Sequence, residues 1–78
     1  MIDISPDFKV TEPTVTLIGN TFVCIENYLS IVGYDTNLIK IKTKVKTIKI
    51  TGDKLLLKYI EENEIGIKGI IYSVDYVD

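Results

Sequence analysis

Residues 48–57 read I-K-I-T-G-D-K-L-L-L, and residues 15–24 read V-T-L-I-G-N-T-F-V-C. Each begins apolar, polar, apolar and reaches a Gly-Asx pair one residue later, followed by a polar residue and three apolar ones. Glycine supplies positive φ at the first central position of a two-residue turn, so Gly19-Asn20 and Gly52-Asp53 each predict a hairpin. In the first, Ile18 faces Thr21, Leu17 faces Phe22, Thr16 faces Val23 and Val15 faces Cys24, which puts Val15, Leu17, Phe22 and Cys24 on one apolar face. In the second, Ile50 faces Leu55 and Ile48 faces Leu57, while Lys49, Thr51 and Lys54 take the other face. A slip of one residue would scatter these sets, so the pattern specifies the pairing. The copies lie 33 residues apart, which is also the ankyrin period, but two partial copies without a helical signal do not make a solenoid. The expected fold is all-β, a small antiparallel β-sandwich or barrel built from successive hairpins.

Working outward, residues 25–29 lead through a bend to a strand at residues 30–34, closed by the turn Asp35-Thr36-Asn37. In residues 38–50, after Leu38, the apolar positions are odd through Val45 and even from Ile48. This change of phase predicts one strand ending near Thr43 and another beginning near Thr47, with a turn or bulge between them. Glu61-Glu62-Asn63 reads as a solvated turn, and residues 64–77 as one long bent strand or two, with Gly66 and Gly69 marking the bend. Residues 1–13 carry Pro6 and Pro13 among acidic and apolar residues and read as an extended lead-in. Residues 14–78 form a single β domain.

A chain of 78 residues supports one domain with a small core. A single cysteine, Cys24, excludes an internal disulfide, and the chain contains no histidine to help hold zinc. The first ten residues do not resemble a signal peptide, and no apolar run approaches the roughly 20 residues of a membrane span. A soluble intracellular protein is expected. Nine lysines against eleven carboxylates give a net charge of -2, which excludes generic polyanion binding by the whole molecule and confines any such binding to patches.

The candidate patch is Lys40, Lys42, Lys44 and Lys46, which at strand spacing would line one face about 7 Å apart. Such a row suits an anionic polymer, an anionic membrane or an acidic partner; the plainer reading is that it keeps an Ile-rich edge strand from pairing with another chain. Glu61, Glu62 and Glu64 crowd one turn and read as surface charges rather than a hydrolase pair. Asp35-Thr36-Asn37 begins like a calcium loop, but Ile39 and Lys40 stand where a ligand and a glycine are needed. Cys24, among Phe22, Val23 and Ile25 and without a histidine base, reads as an inert core residue. Tyr28, Tyr34, Tyr59, Tyr72 and Tyr76, with Phe8 and Phe22, are too scattered for a base-stacking platform and read as core and rim packing. No glycine-rich phosphate loop occurs. The residues give no catalytic, cofactor or metal site.

Residues 14–76 resemble the YabP/YqfC family of sporulation proteins, its YqfC branch most closely. The residues that carry the resemblance are T-L-I-G at 16–19, I-E-N-Y at 25–28, I-K-T at 41–43, I-x-G-x-x-L at 50–55 and E-I-x-I-x-G-x-I at 64–71, closing on Tyr76. Gly19-Asn20-Thr21 differs from the G-R-E turn of the YabP branch, and a glycine common between the central strands is replaced within Lys44-Val45-Lys46. The resemblance implies a non-enzymatic protein of the mother cell, cytoplasmic or peripheral on the forespore outer membrane or spore coat, and active in assembly of the spore coat or cortex. It also implies a protein partner, the membrane protein YqfD or coat components, and it brings no site residues or cofactor. Self-association into dimers or larger oligomers is expected, and nucleic acid is not an expected partner.

Overall fold

The computed structural model describes residues 12–78; all but the last two residues of the lead-in lie outside the described part, as does Phe8. Six strands follow one another: β1 (Thr14–Ile18), β2 (Phe22–Glu26), β3 (Ser30–Tyr34), β4 (Leu38–Lys42), β5 (Thr47–Ile60) and β6 (Glu64–Val77). They form one antiparallel sheet in the order β1-β2-β6-β5-β4-β3, with no helix among the described residues. The all-β expectation holds. So do the strand at residues 30–34, the change of strand between Thr43 and Thr47 and the turn at 61–63; of the two readings of residues 64–77, the structure has the single long strand.

The core is isoleucine-rich and follows the alternation of the strands. Val23 and Ile25 on β2, Ile39 and Ile41 on β4, Ile48, Ile50 and Leu55 on β5, and Ile65 and Ile67 on β6 are fully buried in one cluster. In the sheet β2 and β4 are separated by β6 and β5, so flat strands would hold them about 14 Å apart, and the described residues supply no second layer. The sheet therefore curls over its own apolar face.

The curl comes from bulges where β5 and β6 pair. The register shifts three times, between Thr51 and Gly52, between Asp53 and Leu56, and between Leu57 and Tyr59. Lys54 takes a left-handed φ of 55°, and Gly69 opposite it has a φ of 152° that side chains disfavour. Gly52 passes so close beneath β6 that a Cβ would collide with the carbonyl oxygen of Ile70 and lie 2.9 Å from Leu55 Cδ2. Bulges of this kind bend a strand and raise its twist.

Both Gly-Asx expectations are corrected by this geometry. Gly52-Asp53 is not a turn: β5 runs through it, Ile50 pairs with Val74 and Leu57 with Ile67. Pairing with β4 and β6 gives residues 47–51 two neighbours, where a local hairpin would give one. The first hairpin exists, but its loop has three residues, and Ile18 faces Phe22, Leu17 faces Val23 and Val15 faces Ile25. Val23 and Ile25 thus face the core, whereas Phe22 and Cys24 face outward. The longer loop frees two carbonyls for β6: Gly69 N–H donates to Thr21 at 3.1 Å and Ile71 N–H to Asn20 at 2.7 Å. Those tertiary bonds outweigh the local preference for a two-residue turn.

Gly52→Ala is expected to lower the unfolding free energy by roughly 2–3 kcal/mol through overpacking. Gly33→Ala, whose new Cβ would meet the Lys40 side chain at an ordinary 3.6 Å, should cost less than about 0.5 kcal/mol. Urea denaturation distinguishes them, and equal losses would contradict the bend described above.

Candidate functional site

Two constellations stand on the outside of the sheet. The first lies on its lysine-bearing half. Lys40 pairs with Gly33 of β3 on one side and Lys49 of β5 on the other, and Lys49 in turn faces Asp75 of β6. Lys42 lies between Ser30 and Thr47. Because Ile39, Ile41, Ile48 and Ile50 take the inner face, Lys40, Lys42 and Lys49 share the outer one. Two directly opposed lysines repel, and Asp75 offsets that only in part.

The predicted four-lysine row is not continuous. Lys44 sits on the exposed turn between β4 and β5, and Lys46 pairs with Asp78 at 3.6 Å, an exposed contact of small energetic weight. The turn is built on buried Thr43, whose hydroxyl accepts from the backbone N–H groups of Val45 and Lys46 at 3.2 Å and donates to the Lys46 carbonyl. Nor is the lysine-bearing strand an edge: β4 lies between β3 and β5. Its lysines therefore do not guard a free edge, and the edge-guarding reading is corrected. Lys49 joins the cluster unforeseen, because the expected hairpin left it without a link to β4.

The second constellation joins three strands on the other half. Cys24 on β2 pairs with Gly66 on β6, and Gly66 pairs with Tyr59 on β5. A Cβ on Gly66 would run into the Tyr59 ring, with Cζ 2.7 Å away, so the glycine makes the room in which the ring lies. The bulge at Lys58 puts Tyr59 on the outer face although Leu57 points inward. There the Tyr59 hydroxyl donates to Glu64 Oε2, the Cys24 thiol donates to the same oxygen at 3.0 Å, and the hydroxyl lies 3.6 Å from the sulfur. The Phe22 ring closes one side at a centroid distance of 6.3 Å. Cys24 is thus half-buried on the outer face, not in the core, and Glu64 is engaged while Glu61 and Glu62 remain exposed.

The chemistry of this cluster is conservative. Burial and then the Glu64 carboxylate push the Cys24 thiol above its usual range, so it is a poor nucleophile at neutral pH. The Tyr59 hydroxyl, followed by the Cys24 thiol, holds Glu64 below the usual carboxylate range, and the same contact pushes Tyr59 upward. Two protonated donors on one ionised acceptor tie β2, β5 and β6 together.

The remaining candidates stay apart. Tyr28 donates to the Glu61 carbonyl at 2.8 Å, whereas Tyr34 on β3 and Tyr72 and Tyr76 on β6 are exposed. A shallow cleft of about 190 Å³ is lined by Asn27, Tyr28, Leu29, Lys44 and Asn63. That is smaller than the roughly 300–1,000 Å³ of small-molecule sites. Among the described residues no group of three His, Cys, Asp or Glu could hold a metal ion, and no helix is long and apolar enough to cross a membrane.

The pH dependence of stability tests the cluster. Glu64 titrates lower when folded, so its contribution is present above the unfolded carboxylate pKa of about 4.3 and disappears as pH falls through the folded value. Tyr59 titrates higher when folded, so its contribution is present below about pH 10 and disappears on further rise. Tyr59→Phe should lower stability at pH 7 and make both limbs of the pH–stability profile shallower in urea titrations. Limbs as steep as in the wild type would show that the hydroxyl does not bond the carboxylate.

Residues 9–78 match the YabP family. The chain is 29% identical over 77 residues to the uncharacterized protein YqfC of Bacillus subtilis (strain 168), an overlap covering 99% of this chain and 83% of that protein. No solved structure matches it significantly. The residues at 16–19, 25–28, 50–55 and 64–71 that carry the resemblance now have places in the fold: the first hairpin and its exit, the bend of β5, and the start of β6 through Gly66 and Gly69. The chain belongs to the YabP family.

Proposed function

We infer that this domain is a non-catalytic protein-binding module that serves spore development, acting as a structural or adaptor piece in mother-cell assembly of the spore envelope. What supports the reading is family membership joined to one observation: both edge strands, T-V-T-L-I at β1 and S-I-V-G-Y at β3, carry no charge. Exposed strand edges are the surfaces to which a partner polypeptide adds by backbone hydrogen bonding. The titratable cluster, by contrast, has a thiol pushed up and a carboxylate pushed down, away from the values that a nucleophile and a general base need at neutral pH. A membrane-protein partner such as YqfD, or a coat component, fits this role.

The outer-face cluster of Lys40, Lys42 and Lys49 favours a second reading, a module that rests on an anionic polymer or membrane surface. Capture of the full chain from sporulating cells separates the two. The adaptor reading expects defined partner proteins to co-purify at physiological salt, with recovery unchanged in a Lys40→Gln, Lys42→Gln, Lys49→Gln variant. Flotation with phosphatidylglycerol vesicles that fades with salt and vanishes in that variant, without protein partners, would favour the surface-binding reading instead.

A further inference from the structure

We propose that β1 is a self-pairing edge: two copies of the chain join antiparallel through β1, about a two-fold axis at Thr16, into one continuous sheet. Among the described residues β1 is paired to β2 alone, in an unbroken register over all five of its residues. Leu17 and Ile18 stand 51% and 61% exposed on it. Protein edges are commonly blunted by lysine, proline, a bulge or an inward charge, and β1 has none of these between Thr14 and Ile18.

The sequence of β1 is complementary to itself about its centre. With Thr16 on the axis, Thr16 meets Thr16 of the second copy, Val15 meets Leu17, and Thr14 meets Ile18. Val15 and Leu17 lie on the inner face, in the rows that hold Ile25 and Val23, so the contact extends the apolar face across the joint and covers Leu17. Thr14, Thr16 and Ile18 lie on the outer face, where a Thr–Thr cross-strand pair is favourable. Axes at Val15 or Leu17 would leave part of the strand unmatched. An isologous pairing of this kind closes at two subunits.

Charge and geometry favour β1 over the other edge. β3 carries a bulge between Ile31 and Gly33, a device that twists an edge away from partners. Its neighbour β4 brings Lys40 and Lys42 to the outer face beside it, so a β3–β3 joint would set two lysine clusters near one another. The strand next to β1 carries one charge, Glu26, paired with Thr14; in the antiparallel joint the two copies of Glu26 fall at opposite ends. The inference does not depend on the adaptor reading.

Sedimentation velocity of the full chain from low to high micromolar concentration tests it. A reversible change from monomer mass to twice that mass is expected. Thr16→Lys places two ammonium groups on the axis and should raise the midpoint concentration by roughly tenfold or more, whereas Val32→Lys on β3 should leave it unchanged. Ile18→Lys, at the exposed end of β1, is a second variant that should weaken the dimer should Thr16→Lys fail to fold. A strict monomer throughout would overturn the proposal and leave the edge to a different polypeptide. Assemblies that grow without limit, or a dimer lost in Val32→Lys and kept in Thr16→Lys, would overturn it in favour of β3.

Discussion

The bend that β5 and β6 make together, where Gly52 passes beneath the Ile70 carbonyl, is the constraint on which the domain depends. One sheet with one apolar face can hide that face only by closing over it when the described residues offer no helix to cover it. Closing requires two 14-residue strands to turn without ceasing to pair. A bend of that kind releases backbone groups from the ladder, and two loops reach in to satisfy them. The carbonyls of Asn20 and Thr21 accept from Ile71 and Gly69 on β6, and those of Asn37 and Thr36 accept from Gly52 and Leu55 on β5. The β1–β2 and β3–β4 hairpins are thus docked at one place, and their inward Val23, Ile25, Ile39 and Ile41 meet as one core.

The same bulges decide what the outside presents. The extra residue at Lys58 puts Tyr59 over Gly66 and within reach of Glu64 and Cys24, making a cross-strand tie in which the thiol is kept protonated. Pairing of residues 47–51 with β4 sets Lys49 against Lys40 and makes the lysine-bearing strand an inner one. What is left at the margins of the described sheet is two short uncharged edges, β1 and β3, and the proposed role in partner contact rests on them.

Much of this was legible in the sequence, but only where the signal is local. Alternation from Ile39 to Ile50 gave away both strands and the break between them, and Glu61-Glu62-Asn63 and Asp35-Thr36-Asn37 were readable as turns because each is closed by a local backbone bond, Glu61 N–H to the Glu64 carbonyl and Asp35 N–H to the Leu38 carbonyl. Gly52-Asp53 misled for the opposite reason. Its chemistry suits a tight turn, yet the glycine is there for close approach of another strand, a need that only the tertiary fold exposes. Gly19-Asn20 erred by one residue because Asn20 and Thr21 are held from outside the hairpin. Once a bulge shifts a register, side chains change face. Hence Cys24, Tyr59 and Glu64 could not be assembled from spacing, although Gly66 inside an alternating strand was a hint that something large lies over it.

The central claim, that β5 is continuous through Gly52-Asp53 and pairs along β6, is tested most directly by cross-strand nuclear Overhauser effects in the labelled protein. Backbone contacts of Ile50 with Val74, of Gly52 with Ile71 and of Leu57 with Ile67 are predicted. Contacts of Ile50 with Leu55 and of Ile48 with Leu57, the signature of a local hairpin at Gly52-Asp53, would contradict it.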